Sequence, residues 1–220
     1  RRLERARQAL ETATDELARR AVDDHGGVYA TIDMAAWRSA PEELRIRLLA
    51  RSIAACGGQA APSRLSRVEK LATALTAEDT EGVTLGGCFI VTRAGSIEVM
   101  REPGRDGFPE MQLQPGAEAC WDRRFQVRCE GEAAEPVVVR ALGAAELARL
   151  RAEGLDLGPT PVRAAVTLPS FWQQGRLIGV PHLVRADWPS TTGAVKRCSA
   201  RFLGLLYHEC GRPGLGDRGS

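Results

Sequence analysis

The sequence predicts an α+β fold, with an amino-terminal helical lobe followed by a small, mostly antiparallel β lobe with short helices. Three observations predict it. Apolar residues recur at helical spacing through the first third of the chain, the period drops to two from Val83, and glycine- or proline-bearing turns interrupt the second half at short intervals.

The elements follow in order. Leu3, Ala6, Leu10, Ala13, Leu17 and Ala21 alternate spacings of three and four, which is one stripe on a helix of about six turns. His25-Gly26-Gly27 stops it, and Val28 to Ile32 reads as extended. Ser39, Pro41 and Glu42 form a helix start, with serine as the cap, and Leu44, Leu48, Leu49 and Ile53 line the helix up to Gly57-Gly58. Ser63 is placed to cap a third helix carrying Leu65, Val68, Leu71, Ala72 and Leu75 inward and Arg64, Arg67 and Lys70 outward. From Val83, Phe89, Val91, Ile97 and Val99 alternate with polar residues around a hairpin turn at Gly95. Residues 103–117, rich in glycine and proline, read as a loop. "RFQVRCE" and "PVVVRAL" read as strands, Ala144 to Glu153 as a short helix, and "TLPSFWQQGRLIGVPHL" as two short strands. "KRCSARFLGLLYHE" reads as a final helix, and the residues beyond Gly211 as a disordered tail.

Composition narrows the function. With 44% apolar and 26% charged residues the chain has globular composition, and no apolar run reaches the length of a membrane span. Only Lys70 and Lys196 are lysines among the basic residues. An arginine excess is what a GC-rich genome gives, but the guanidinium fork also suits phosphate oxygens. The six cysteines form no C-x-x-C pair and read as reduced, buried or incidental thiols. His208 and Cys210 alone do not make a zinc site, so no metal is expected.

Gly86-Gly87 resembles a phosphate cradle only superficially. Such a cradle needs a helix amino terminus behind it, and Cys88-Phe89-Ile90-Val91 is a strand pattern. The pair is expected to permit a bend or a close backbone approach at a strand start. No Walker-type loop, dinucleotide fingerprint or G-x-S-x-G elbow occurs. Trp121, Phe125, Phe171 and Trp172 are expected in the core rather than as base-stacking platforms, and Asp122 in an ion-paired turn with its neighbouring arginines.

Four segments in a fixed order carry a family resemblance: "PSRLSRVEKLATAL" at Pro62–Leu75, "VTLGGC" at Val83–Cys88, "PGAEACWDRRFQV" at Pro115–Val127 and "LPSFWQQGRLIGVPHL" at Leu168–Leu183. Together they resemble the carboxy-terminal half of tRNA(Ile)-lysidine synthetases of the alphaproteobacterial type, over nearly the whole chain. One departure is visible, since the family often has glycine where this chain has Arg123. The resemblance implies a parent enzyme that uses ATP and Mg to adenylate the wobble cytidine of an isoleucine tRNA. Free lysine then displaces AMP, and codon reading changes from AUG to AUA.

That chemistry belongs to an amino-terminal PP-loop domain with an S-G-G-x-D-S signature, which is absent from these residues. The chain, which begins Arg1-Arg2 without methionine, therefore reads as part of a longer cytoplasmic enzyme. It is expected to hold no catalytic residue or cofactor of its own and to be inactive alone.

The resemblance implies a linker helix over 1–26, a helical tRNA-binding domain over 27–82, a β-rich carboxy-terminal domain over 83–210 and a tail over 211–220. Candidate tRNA contacts are Arg64, Arg67 and Lys70, with Arg45 and Arg51 extending that face, and Arg123, Arg124, Lys196, Arg197 and Arg201 as further candidates. The expected partner is isoleucine tRNA, with a homodimer as an option and neither DNA nor membrane. The competing expectation is a non-enzymatic α+β module whose helix stripe docks another protein.

Overall fold

The computed structural model describes residues 1–58, 63–76, 82–104, 107–130, 136–183 and 197–204. Helix α1 (Arg2–Ala21) passes into strand β1 (Val22–Asp23), a 3-10 turn at His25–Gly27 and strand β2 (Ala30–Asp33). Helices α2 (Met34–Arg38), α3 (Glu42–Gly57) and α4 (Leu65–Thr76) follow, then strands β3 (Val83–Leu85), β4 (Cys88–Arg93) and β5 (Ser96–Arg101). The rest is β6 (Met111–Leu113), β7 (Glu118–Trp121), β8 (Phe125–Glu130), β9 (Val137–Ala141), α5 (Ala144–Ala152), α6 (Val162–Ala165), β10 (Pro169–Gln173), β11 (Arg176–Gly179) and β12 (Arg197–Phe202). Helices come first and antiparallel strands with short helices second, which is the expected α+β class.

Three sheets organise the strands, in the orders β1-β2-β5-β4-β3, β11-β10-β9-β6 and β12-β8-β7. The first sheet is the middle layer, and the period of two decides what each face covers. Ile90, Ile97 and Val99 lie in one apolar cluster with Leu48, Leu49 and Ile53 of α3 and Leu71 and Leu75 of α4. Their neighbours in sequence, Phe89, Val91 and Met100, join a second cluster with Trp121, Phe125, Val127, Val139 and Phe171. Each fully buried branched side chain contributes about 1.5–3 kcal/mol, so both faces of β5 are strongly specified. The first cluster runs from Leu17 to Val99, so helices before residue 82 and strands after 83 share one core.

The glycine pair has a definite role. Leu85 pairs with Cys88, leaving Gly86 and Gly87 as a two-residue hairpin loop with φ of 61° and 75°. Positive φ at both positions is what a type I′ turn demands and what glycine adopts without strain. The turn also sits against the end of α3, where a Cβ on Gly57 would lie 2.0 Å from the Gly86 carbonyl oxygen. Bend and close approach are both present, and the segment behind the pair is a strand.

Several local expectations are corrected. Ser39 does not cap α3. An additional helix, α2, begins at Asp33, whose side chain accepts from Ala36 N–H at 2.7 Å, and Ser39 closes it by donating to the Ala36 carbonyl at 2.8 Å. Asp33 wins because its carboxylate is a strong cap and Trp37, fully buried, anchors the extra turn. The α1 stripe is buried at Leu17 and Ala21, but Leu3 is 86% exposed, because the first turns of α1 extend beyond the elements packed against it.

The loop assigned to 103–117 contains β6, which pairs with β9. The expected final helix is instead strand β12 at Arg197–Phe202, paired residue by residue with β8. Cys198, Ala200 and Phe202 all pack on the second cluster, a period of two that the apolar run behind them masks. The expected tail at 211–220 lies outside the described residues.

Candidate nucleic-acid interface

Helix α4 presents two unlike faces. Val68, Leu71, Ala72 and Leu75 are buried, while Arg64, Arg67 and Lys70 are exposed on the other side. Arg64 is the cap residue, because its carbonyl accepts from Arg67 N–H at 2.9 Å and from Val68 N–H at 3.3 Å. Ser63, the expected cap, instead lies one residue outside, with its hydroxyl where a Cβ on Gly86 would stand. No acidic residue occupies the first turn of α4, and none of the three cations forms an ion pair among the described residues. Two arginines at the positive end of a helix dipole oppose the usual preference by about 0.3–1 kcal/mol each. That arrangement raises the local positive potential instead of neutralising it.

The other candidates separate. Arg51 bonds Asp15 at 2.5 Å and also pairs with Glu11, and Arg47 joins Glu11 at 2.8 Å, so α1 and α3 are cross-linked by charge. Arg51 therefore does not extend the cationic face. Arg45 is half-buried with its guanidinium 5.4 Å from the Trp37 ring centre, which draws it toward α2. Arg123 and Arg201 are exposed. Arg197 opens β12, and Lys196 lies outside the described residues.

Arg124 requires a correction. It is 1% exposed and serves inside the protein. Asp122, whose side chain is 4% exposed, accepts from Arg124 Nε at 2.7 Å and from Arg101 Nε and Nη2 at 3.0 and 2.9 Å. Arg124 Nη2 donates to the Thr167 carbonyl at 2.8 Å, and Arg101 Nη1 donates to the Gly87 carbonyl at 3.1 Å and to the Glu102 carbonyl. Burial pulls the Arg124 guanidinium below its usual pKa, and the Asp122 carboxylate opposes that pull.

One carboxylate thus joins two guanidiniums, and the trio joins the glycine turn, the end of β5, the β7–β8 turn and the loop before β10. Gly58 fits against it, since a Cβ there would lie 2.5 Å from the Asp122 carbonyl oxygen. Asp122 is in an ion-paired turn as expected, but its partners are Arg101 and Arg124, and Arg123 points away. The signal for Arg101 was present in the strand, because Ile97, Val99 and Arg101 share one face and the last is charged.

The Asp122-Arg123 turn carries strain. Both residues have positive φ, 49° and 55°, at a cost of roughly 1–2 kcal/mol for a residue with a Cβ. Replacing Arg123 with glycine should stabilise the fold by about 0.5–1 kcal/mol once the added entropy of the unfolded chain is deducted. Urea unfolding checks this, and a lower midpoint in the variant would show that the Arg123 side chain contributes a contact that outweighs the strain.

The four aromatic residues lie in the core, as expected. Trp121, Phe125 and Phe171 are at most 1% exposed and Trp172 is 8% exposed. His25 stacks on Tyr29 at 4.1 Å and hydrogen-bonds Thr31 at 2.9 Å, so it is a half-buried packing residue. Burial pushes Cys56 up to about 12 and Cys88 well above its usual value, which keeps both as neutral thiols. Among the described residues no helix is long and apolar enough to cross a membrane.

The fold and surface define an α+β chain with exposed cations on α4 and a buried charge junction that ties the glycine turn, the end of β5 and the β7–β8 turn together. Sequence comparison gives the likeness its particular form. The chain is 31% identical over 177 residues, 80% of its length, to the tRNA(Ile)-lysidine synthase of Ruegeria pomeroyi, covering 40% of that protein. It is 32% identical over 126 residues, 47% of its length, to the tRNA(Ile)-lysidine synthase of Bradyrhizobium diazoefficiens, covering 35% of that protein. The chain thus spans well under half the length of these relatives, and the resemblance read from the four sequence segments holds. No protein-family profile matches the chain.

Proposed function

We propose that this chain is the tRNA-binding portion of a lysidine-forming ligase. In this reading the chain grips isoleucine tRNA, while a PP-loop domain outside these residues binds ATP and Mg and joins lysine to the wobble cytidine. The observation that carries the proposal is the 177-residue similarity to a tRNA(Ile)-lysidine synthase. The α4 cations support it physically, since Arg64, Arg67 and Lys70 are exposed without ion-pair partners among the described residues and folded RNA presents phosphates to such a surface. On the same proposal α1 links to the catalytic domain, residues 27–82 touch the tRNA, and the β-rich remainder braces them.

The test is a salt titration of isoleucine tRNA binding to the chain. Binding in the micromolar range is expected to weaken steeply as salt rises, with a log–log slope of roughly −2 to −4 for three to five phosphate contacts. ATP turnover by the chain alone is expected to be absent. No detectable tRNA binding even at low salt would sink the proposal. It would favour the second reading, a protein-docking module, for which the 86% exposure of Leu3 on α1 is the supporting observation.

A further inference from the structure

Cys129 and Cys198 face each other across β8 and β12. They are directly opposed in the antiparallel register, and their Sγ atoms are 2.9 Å apart. Both side chains lie on the face that covers the second apolar cluster, where Cys129 is 2% exposed and Cys198 is half-buried. Opposed residues of an antiparallel pair have Cα atoms about 4.5–5.5 Å apart, inside the range of roughly 4.4–6.8 Å that a disulfide spans. The other described free thiols differ, since Cys56 and Cys88 are sealed in the first cluster.

We propose that Cys129 and Cys198 are a modification site, a cross-strand dithiol that low-molecular-weight disulfides of the glutathione class oxidise to a disulfide stapling β12 onto β8. Cys198 is the entry point because it is the more exposed of the two, although its hydrogen bond with Cys129 and its burial push its thiol pKa up, so the first attack is expected to be slow. Its thiolate attacks one sulfur of the oxidant, forming a mixed disulfide and releasing one glutathione thiolate. Cys129 then loses its proton and attacks Cys198 Sγ, releasing the second glutathione thiolate. Two cysteine thiols are oxidised, one glutathione disulfide is reduced to two thiols, and both cysteine protons pass to the released thiolates. Cys129 Sγ lies 2.9 Å from Cys198 Sγ, which places the resolving nucleophile beside the sulfur it attacks.

The staple has structural reach. The two cysteines are 69 positions apart, so the bond closes a long loop and constrains the unfolded chain strongly. On the same strand, the Phe202 ring lies tilted against Phe125 with centroids 5.8 Å apart and fills the space over Gly27, and Leu203 N–H donates to the Arg124 carbonyl at 2.9 Å. Oxidation therefore locks β12 onto the turn that carries the buried charge junction. This inference does not depend on tRNA binding.

The experiment treats the full chain, first reduced, with oxidised glutathione, and then maps peptides by mass spectrometry without reduction. A peptide pair joining Cys129 to Cys198 is expected, with a rise in thermal midpoint of roughly 5–10 °C over the reduced form. Cys129→Ser should retain glutathione on Cys198 and show no such rise. The proposal is overturned if both thiols remain free, if wild-type Cys198 keeps its glutathione, or if Cys198 joins a different cysteine. Equal midpoints of Cys129→Ser and the reduced wild type would show that the variant folds, and a variant that fails to fold is replaced by Cys129→Ala with the same readout.

Discussion

Replacing Asp122 with alanine is expected to destabilise the protein by about 3–5 kcal/mol, the cost of leaving a buried charge without its partner. The carboxylate is the described counter-ion of Arg101 and Arg124, which it bonds at 2.7 to 3.0 Å, and the two guanidiniums are 5% and 1% exposed. Without it, two like charges face each other in a region water does not reach. A domain of ordinary stability has about 5–15 kcal/mol in total, so the loss removes a large part of it. Asp122→Asn should recover little, because the amide keeps the shape but not the charge. Adding Arg101→Met to Asp122→Ala should recover part of the loss, since it removes one of the stranded cations, and the two effects should be clearly non-additive. Urea unfolding followed through Trp121 reads this directly, because the indole N–H is held by the Pro109 carbonyl at 2.9 Å beside the same turn. A change below about 1 kcal/mol would mean that water or a rearranged side chain replaces the carboxylate, and the junction would then be incidental to stability.

What could be read from the sequence follows from how local each determinant is. The period of α4 and the turn at Gly95 are set by residues a few positions apart, and both appear where the pattern puts them. The β8 and β9 strands and the β10–β11 hairpin were legible for the same reason. Helix α2 was hidden because Ser39-Pro41-Glu42 gives a strong start signal that draws attention from Asp33 six residues earlier. Strand β12 was hidden because its conformation is decided by β8, about seventy positions away, while its own composition suits a helix. The site divides along the same line. The exposed cations of α4 were visible because each sits opposite an apolar position of the same helix. The fates of Arg51 and Arg124 were not, because the carboxylates of α1 and the packing around the Asp122 turn reach them only through the fold. Charge counted along a sequence says nothing about which cations are already neutralised.

Reversing the three cations together, Arg64→Glu, Arg67→Glu and Lys70→Glu, is expected to weaken tRNA binding roughly 30- to 1000-fold at low salt. Each phosphate contact contributes a counter-ion release term to the salt dependence, of about 0.7 to 0.9 per contact, so the log–log slope should also flatten by about two units or more. The substitutions should leave the fold intact. All three side chains are exposed, none forms an ion pair among the described residues, and glutamate near the start of α4 is favoured by the helix dipole. The variant should therefore be as stable as the parent or slightly more so, which separates loss of binding from loss of structure. The same reversal at Arg51 makes the opposite control. It should cost stability by breaking the links to Glu11 and Asp15 while leaving the salt slope nearly unchanged. Unaltered affinity in a folded triple variant would remove α4 from the binding surface. The exposed Arg123 and Arg201 would then be the next cations to test, since burial already excludes Arg124. A loss of affinity with an unchanged slope would point instead to a contact with the bases or the shape of the RNA, because only phosphate neutralisation couples the two readouts.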